Sequence, residues 1–279
     1  MQSNIKIVSS DHLTLWTEML SNNSTHSVCL LISGAGASAM FWTNEFCETL
    51  VNAGYSVIRF DHRDQGLSDA VDWEKNPYTI EDLANDVINI LDAYGIHQAH
   101  IVGHSMGGMI AQWIAYTYPQ RIHSYTSISI ATCGTTGQPS KEIMDILMQN
   151  KPTQHFDHDL SGFMRSWKVL NGTYEVDEEL AKKYTKDLYV RSKHPVGVAW
   201  HHIWCQKNYI DLSDKIKQIT VPGLFIHGEV DPLIPVHAAI ETQKIAPHST
   251  MLIIPGMGHM IFNRTLEDVI CKALIDQFI

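Results

Sequence analysis

Gly103-His104-Ser105-Met106-Gly107 is the stretch on which the reading of this chain turns. The apolar run Ala99-His100-Ile101-Val102 precedes it, and a helical pattern follows it as far as Tyr118-Pro119. A glycine two places before and two places after a serine, between a strand and a helix, describes a sharp turn. Its crowded backbone excludes side chains at those two positions and pushes the serine into a strained conformation. The serine Oγ then stands exposed above the sheet. Gly108, Ala111 and Ala115 are small residues that let the following helix pack closely under its strand.

Outward from that turn, strands and helices alternate. Upstream, Ile5-Lys6-Ile7-Val8 and Leu13-Thr14-Leu15-Trp16 read as an opening hairpin. Val28-Cys29-Leu30-Leu31-Ile32 is a continuous apolar run that stops at Ser33-Gly34-Ala35-Gly36-Ala37, as expected of a strand buried on both faces with a Gly-rich loop behind it. A helix over 41–51 and a strand over 55–60 follow, and then the polar loop Asp61-His62-Arg63-Asp64-Gln65-Gly66-Leu67-Ser68. Thr79 with Asp82 forms an acidic capping box for a helix whose stripe is Leu83, Val87, Ile90 and Leu91 and which Gly95 closes. Downstream, a strand is expected over 123–132.

Residues 133–214 break the rhythm, with helical patterns over 141–150, 160–170, 178–190 and 196–207 and no convincing strand. The alternation resumes with a strand over 223–226, the loop Gly228-Glu229-Val230-Asp231-Pro232 and a helix over 236–246. A last strand over 251–254, the loop Gly256-Met257-Gly258-His259 and a closing helix complete the chain. This order predicts an α/β fold with a mainly parallel sheet covered on both faces. It divides the chain into a core of 1–132 and 215–279 and a helical lid of 133–214.

At 279 residues and 44% hydrophobic composition, the chain has the material for one large domain with an insertion. A formal net charge of −10 argues against nucleic acid or an anionic membrane surface as a partner. The oligomeric state cannot be read from these features. Five scattered cysteines without a C-x-x-C pair read as free thiols in a reducing compartment. With no basic segment at Met1-Gln2-Ser3-Asn4 and no apolar run of membrane-spanning length, the expected location is the cytoplasm.

A serine hydroxyl is a poor nucleophile near neutral pH and needs a base to accept its proton and an acid to orient that base. Ser105 as nucleophile, Asp231 as acid and His259 as base each fall in a loop leaving a strand. Glu229 shares the loop of Asp231. Asp231 is preferred because it lies deeper in the loop, next to Pro232. The end of the strand after the nucleophile, another place for the acid, has Ser129-Ile130-Ala131-Thr132 and no carboxylate. His227 and His237 read as structural or surface residues. The oxyanion that forms on attack needs two backbone N–H donors, assigned to Met106 and Ala35. Gly34, His104, Trp167 and Trp204 are candidate substrate-binding residues. Together with Met144, Met148, Phe156, Phe163, Met164 and Trp200, the two tryptophans suggest an apolar chamber under the lid. His155-Phe156-Asp157-His158-Asp159 and the pair His201-His202 have metal-ligating residue types without a convincing ligand set, so no metal and no organic cofactor are expected.

Taken together, the Ser33–Gly36 loop, the Asp61–Ser68 loop, Gly103–Gly108, Gly228-Asp231-Pro232 and Gly258-His259 resemble the α/β-hydrolase fold family over nearly the whole chain outside the lid. The Asp-His-Arg-Asp-x-Gly-x-Ser loop is most similar to that of the aclacinomycin methylesterase group, which cleaves a methyl ester on a bulky polyketide. The resemblance implies an eight-stranded, mainly parallel sheet with an α-helical lid. It also implies a serine hydrolase acting on a small-molecule carboxylic ester through an acyl-enzyme. Carbon–carbon bond, thioester and perhydrolase chemistry share that triad, and a non-catalytic binding protein shares the fold. Two positions depart from the family pattern. Ser33 stands where many members have histidine, which implies a different hydrogen bond at the oxyanion loop. Asp64 replaces the glycine usual after the arginine.

Overall fold

Strand β1 (Gln2–Ser10) turns at Asp11 into β2 (Leu13–Ser21), and the two pair antiparallel along their full length. The chain then runs through β3 (Val28–Ile32), α1 (Asn44–Asn52), β4 (Ser56–Phe60), α2 (Ile80–Ala93), β5 (Ala99–His104), α3 (Met106–Thr117) and β6 (Ile122–Ile128). Helices α4 (Lys141–Gln149), α5 (Phe156–Leu170), α6 (Glu178–Arg191), α7 (Trp200–Lys207) and the short α8 (Ser213–Ile216) come next. After them stand β7 (Gly223–Gly228), α9 (Val236–Ile245), β8 (Ser249–Ile254) and α10 (Arg264–Phe278). This is a computed structural model, and it describes residues 1–22, 27–131, 140–149, 155–193, 200–207 and 212–278.

The eight strands form one sheet in the order β1-β2-β4-β3-β5-β6-β7-β8. Only β2 runs against its neighbours; the pairs from β4 through β8 are parallel. A parallel sheet needs cover on both faces, and period-two alternation along each strand supplies two cores. On one face Leu30, Ile32, Ile58, Phe60 and Ile101 pack under α2 and α3, against Leu83, Val87, Ile110 and Ile114. On the other Cys29, Leu31, Val57, Val102 and Ile226 meet Phe46 and Leu50 of α1 and Leu266 and Ile270 of α10. Each fully buried Val, Leu, Ile or Phe side chain among these contributes about 1.5–3 kcal/mol.

Local chemistry sets the helix starts. Thr79 Oγ1 accepts from the Asp82 N–H while the Asp82 carboxylate accepts from the Thr79 N–H, closing the capping box at α2. Thr43 and Asp177 cap α1 and α6 in the same manner. One expectation needs correction. The strand expected over 123–132 ends at Ile128, because Ser129 turns the chain with φ of 54°. Ile130 is apolar because it packs against Gly108, not because it continues the ladder. The four-residue helix α8 is too short to leave a periodic signal.

Strand order reverses between β3 and β5, which lie side by side with Ile32 opposite Gly103. Loops leaving the carboxyl ends of adjacent parallel strands at such a reversal face a common crevice. The Ser33–Ala37 loop and Ser105 therefore emerge next to each other. The loops after β7 and β8 emerge on the same edge two and three strands away from β5.

Candidate active site

Ser105 caps α3 with φ 52° and ψ −120°, a conformation costing on the order of 1–3 kcal/mol for a residue with a Cβ. Its N–H donates to Ile128 O at 2.8 Å and its carbonyl accepts from the Gly108 N–H at 2.8 Å, so strand and helix hold it from both sides. A Cβ at Gly103 would lie 2.0 Å from Gly107 O, and one at Gly107 would lie 2.3 Å from Ile32 O. The two glycines are thus required by backbone contact with each other and with β3.

The Ser105 hydroxyl lies 3.1 Å from His259 Nε2, and His259 Nδ1 lies 2.9 Å from Asp231 Oδ2. The other Asp231 oxygen accepts the N–H groups of Leu233 at 2.8 Å and Ile234 at 2.9 Å. Burial alone raises the Asp231 pKa, but the attraction of His259 and these hydrogen bonds outweigh it and hold the carboxylate below its ordinary range. Glu229, its rival in the loop, is exposed and accepts the Gly256 N–H at 3.1 Å. Loop geometry therefore brings Ser105, His259 and Asp231 into one hydrogen-bonded chain and leaves Glu229 outside it. Such a chain can move a proton from serine to imidazole while the carboxylate holds the ring.

The His259 loop is gripped by the end of α5. His259 and Met260 N–H groups donate to Leu170 O, and Gly258 N–H donates to Asn171 O. A Cβ at Gly258 would sit 2.2 Å from Leu170 O, which explains a glycine before the histidine. From the other side His104 Nε2–H donates to His259 O at 2.8 Å. The His104 ring is buried against Phe41, and burial next to His259 lowers its pKa to about 3, so it stays neutral. The ring of His104, a candidate substrate-binding residue, joins the serine turn to the histidine loop.

His227 is buried and donates Nε2–H to Ile234 O at 2.9 Å, with Asp231 Oδ2 3.5 Å away. It steadies the aspartate loop four residues ahead. This contact agrees with the structural role expected of His227.

Met106 is the first residue of α3, so its N–H has no acceptor in an earlier turn of that helix. Gly34 lies alongside the serine: a Cβ there would be 3.3 Å from Ser105 Cβ and 3.2 Å from His104 Nδ1. Ala35 is exposed at the tip of a turn closed by Ala37 N–H to Gly34 O at 3.2 Å. Ser33 Oγ donates to Ala37 O at 2.9 Å, and His62 Nε2–H donates to Ser33 O at 3.1 Å. These two bonds supply the different support expected where the histidine is absent.

The Asp61–Ser68 loop is the hub behind the site. Asp61 accepts the Ala39 N–H at 2.8 Å, the Leu67 N–H at 3.0 Å and Arg191 Nη2 at 3.0 Å. Arg63 forms a two-pronged pair with Asp86 at 2.8 and 2.7 Å. Asp64 has φ 70°, the backbone that makes glycine usual there. Its carboxylate accepts the Val71 N–H, the Tyr78 O–H and His201 Nδ1, and these bonds hold the residue in place. Sequence reasoning missed that Arg191, His201 and His202 dock on this loop, since no local pattern marks contacts over more than a hundred residues.

Trp167 is 5% exposed and packs on Phe262, Phe163 and Tyr184, joining α5 to the core. Trp204 is 40% exposed and its ring contacts are with Trp73 and His201. Residues 132–139 and 194–199 and the side chains of Met148 and Trp200 lie outside the described residues. Among the described residues no group of three His, Cys, Asp or Glu side chains could hold a metal ion, and no helix is long and apolar enough to cross a membrane.

A model of the α/β hydrolase fold family matches residues 28–263. The chain is 28% identical over 278 residues to a rhodomycin D methylesterase of Streptomyces peucetius, covering 92% of each chain. It is 24% identical to a 2-hydroxy-6-oxononadienedioate/2-hydroxy-6-oxononatrienedioate hydrolase of Burkholderia vietnamiensis, over 82% of this chain and 80% of that one. Among solved structures, the enol-lactonase of Burkholderia xenovorans LB400 superposes with a TM-score of 0.77 at 20% identity, covering 99% of both chains.

Proposed function

Since the chain belongs to the α/β hydrolase fold family, we propose that it is a carboxylic ester hydrolase working through Ser105, His259 and Asp231. The observation that carries this reading is the hydrogen-bonded chain from the Ser105 hydroxyl through both nitrogens of His259 to Asp231. Similarity to a methylesterase over nearly the full length of both chains supports the choice of ester chemistry.

Ser105 Oγ attacks the ester carbonyl while His259 Nε2 takes its proton. Asp231 fixes the ring with Nδ1 protonated and stabilises the imidazolium. The carbonyl oxygen becomes an oxyanion, held by the N–H groups of Met106 and Ala35. The tetrahedral adduct collapses as His259 returns the proton to the leaving alcohol. Water, deprotonated by His259, then cleaves the acyl-serine and restores the enzyme. Ser105, His259, Asp231 and water balance every step without a metal or organic cofactor.

We take the helices between β6 and β7 as a lid over this site, and a small-molecule ester with a moderately apolar acyl or alkoxy group as its substrate. Phe163 and Met164 of α5 are partly buried and pack against the apolar cluster that contains Trp167. A panel of aryl esters of rising acyl length, run beside Ser105→Ala, tests the reading. The expected result is a preference for medium apolar chains and no turnover by the variant. A flat or polar preference overturns the apolar substrate. Turnover by Ser105→Ala overturns the nucleophile, and a wild type inert on every ester turns the assignment to carbon–carbon bond hydrolysis, tested on vinylogous diketones.

A further inference from the structure

The loop carrying Ala35 has glycine on either side, Gly34 and Gly36, and Gly36 adopts φ 72°. Such a segment has little stiffness of its own. An oxyanion donor acts only when it stands within about 2.7–3.1 Å of the developing charge, so something must hold the loop to a few tenths of an ångström. His62 holds the Ser33 carbonyl, and Ser33 Oγ ties Ala37 O back across the loop, as described above. Gly36, between these two ends, is held from outside the core.

His202, on α7, is fully buried and its ring spans two core loops. The Gly36 N–H donates to His202 Nδ1 at 3.1 Å, and His202 Nε2–H donates to Arg63 O at 2.9 Å. Both bonds together demand one tautomer, with Nδ1 bare and Nε2 protonated, because a neutral imidazole offers one acceptor and one donor. Edge contacts with His62 at 5.3 Å and Tyr78 at 6.1 Å fix the ring plane. Burial, with His62 and Arg63 close by, lowers the pKa of His202 to about 3 and keeps the acceptor bare at neutral pH. The neighbouring His201 ties the same helix to Asp64 at 3.0 Å.

We propose that His202 is a positioning residue for the oxyanion loop: a neutral imidazole from the inserted helices that accepts the Gly36 N–H and anchors itself on Arg63 O. The donor at Ala35 thus reaches its working place only with α7 docked, which couples the inserted segment to the chemistry and not merely to substrate entry. This inference rests on the oxyanion assignment under the proposed function.

Two substitutions separate the two ends of the bridge. In His202→Asn the amide lies near the former Nδ1 and keeps an acceptor for Gly36. In His202→Gln the amide reaches one carbon further, toward Arg63 O, and leaves Gly36 N–H unpaired. Hydrogen exchange of the Gly36 amide, read by NMR on [15N]glycine-labelled protein, reports the bond directly. Gly223, whose N–H donates to His248 O at the start of β7, serves as the control for an intact sheet. His202→Gln should accelerate Gly36 exchange at least about tenfold and lower kcat on an aryl ester about tenfold or more, with KM within about twofold. Gly223 should be unaffected, and His202→Asn should recover most of the exchange protection and most of kcat.

Unchanged Gly36 exchange in His202→Gln overturns the proposal. Faster exchange with unchanged kcat overturns the positioning role, and equal loss of kcat in both variants reduces His202 to general packing. A wild type that cleaves no ester but shows the same exchange contrast overturns the ester-hydrolase reading and leaves the bridge standing.

Discussion

Replacing Arg191 by methionine isolates the pair that ties α6 to the core. The Asp61 side chain is 0% exposed, that of Arg191 is 15% exposed, and Nη2 lies 3.0 Å from Oδ2. At an effective dielectric of about 20, the attraction at that distance is about 5.5 kcal/mol. Methionine keeps the aliphatic packing over Trp16, on whose ring the guanidinium sits at 4.2 Å, but removes the charge. The orphaned carboxylate can escape by taking a proton. Relative to an unfolded carboxyl near 3.9, that costs at most about 1.4 kcal/mol for each pH unit above 3.9. The ceiling is therefore about 5 kcal/mol at pH 7.5 and about 2 kcal/mol at pH 5.5. A loss of 3–5 kcal/mol is usual when one partner of a buried pair is removed, which makes about 3–5 kcal/mol the expectation at pH 7.5.

Asp61 already has a pKa raised by burial, with Arg191 and the Leu67 and Ala39 N–H groups pulling it down. Losing Arg191 moves it further up. The native variant then holds a proton that the unfolded chain lacks, so its deficit shrinks as pH falls. Urea unfolding of wild type and Arg191→Met at the two pH values, followed by tryptophan fluorescence, measures both deficits. A deficit below about 0.5 kcal/mol at pH 7.5, or one that grows on acidification, would falsify the reasoning.

Three further outcomes are expected. Asp231→Asn should lower kcat about 10⁴-fold with little change in KM, because the amide presents the wrong partner to His259 Nδ1; Glu229→Gln should leave kcat within about twofold, and steady-state kinetics on an aryl ester decides between the two residues. Gly103→Ala should fail to give native protein, since its Cβ would stand 2.0 Å from Gly107 O; a near-native thermal midpoint would contradict the turn geometry. Stability should fall as pH drops from 6.5 toward 4, because His62, His104 and His202 are held neutral, with pKa values lowered to about 4, about 3 and about 3. The unfolded chain takes up protons at these sites from about pH 6.5 downward while the native state does not. The three together remove up to about 6 kcal/mol by pH 5. Asp61 and Asp86, raised by burial, act in the opposite sense and reduce the total. Urea midpoints at pH 7.5 and 5 measure the net, and an increase at pH 5 would refute it.

Features written in local chemistry were legible without coordinates. The β3 run 28–32, the Thr79–Asp82 capping box and the glycines around Ser105 each follow from interactions within a few residues, and each stands where the residues indicated. Three residues from three loops could be grouped because parallel strands send their carboxyl ends to one edge. The end of β6 was less legible, since Ile130 has strand propensity but serves packing against Gly108. The inserted helices were legible as helices and illegible as partners. Arg191 meets Asp61 across 130 residues, and His202 meets Gly36 across 166, and neither contact leaves a periodic trace. The His201-His202 pair drew notice as a metal-ligand type, whereas its nitrogens serve as struts between loops. Trp204, a candidate substrate-binding residue, has its ring against Trp73 and His201.

Covalent capture of the nucleophile tests the central claim most directly. A p-nitrophenyl alkylphosphonate should modify the wild type at one site with release of one equivalent of nitrophenol, and peptide mapping should place the adduct on Ser105. Ser105→Ala should take up no label, and His259→Ala should label far more slowly. An adduct on any other residue, or stoichiometric labelling of Ser105→Ala, would contradict the account.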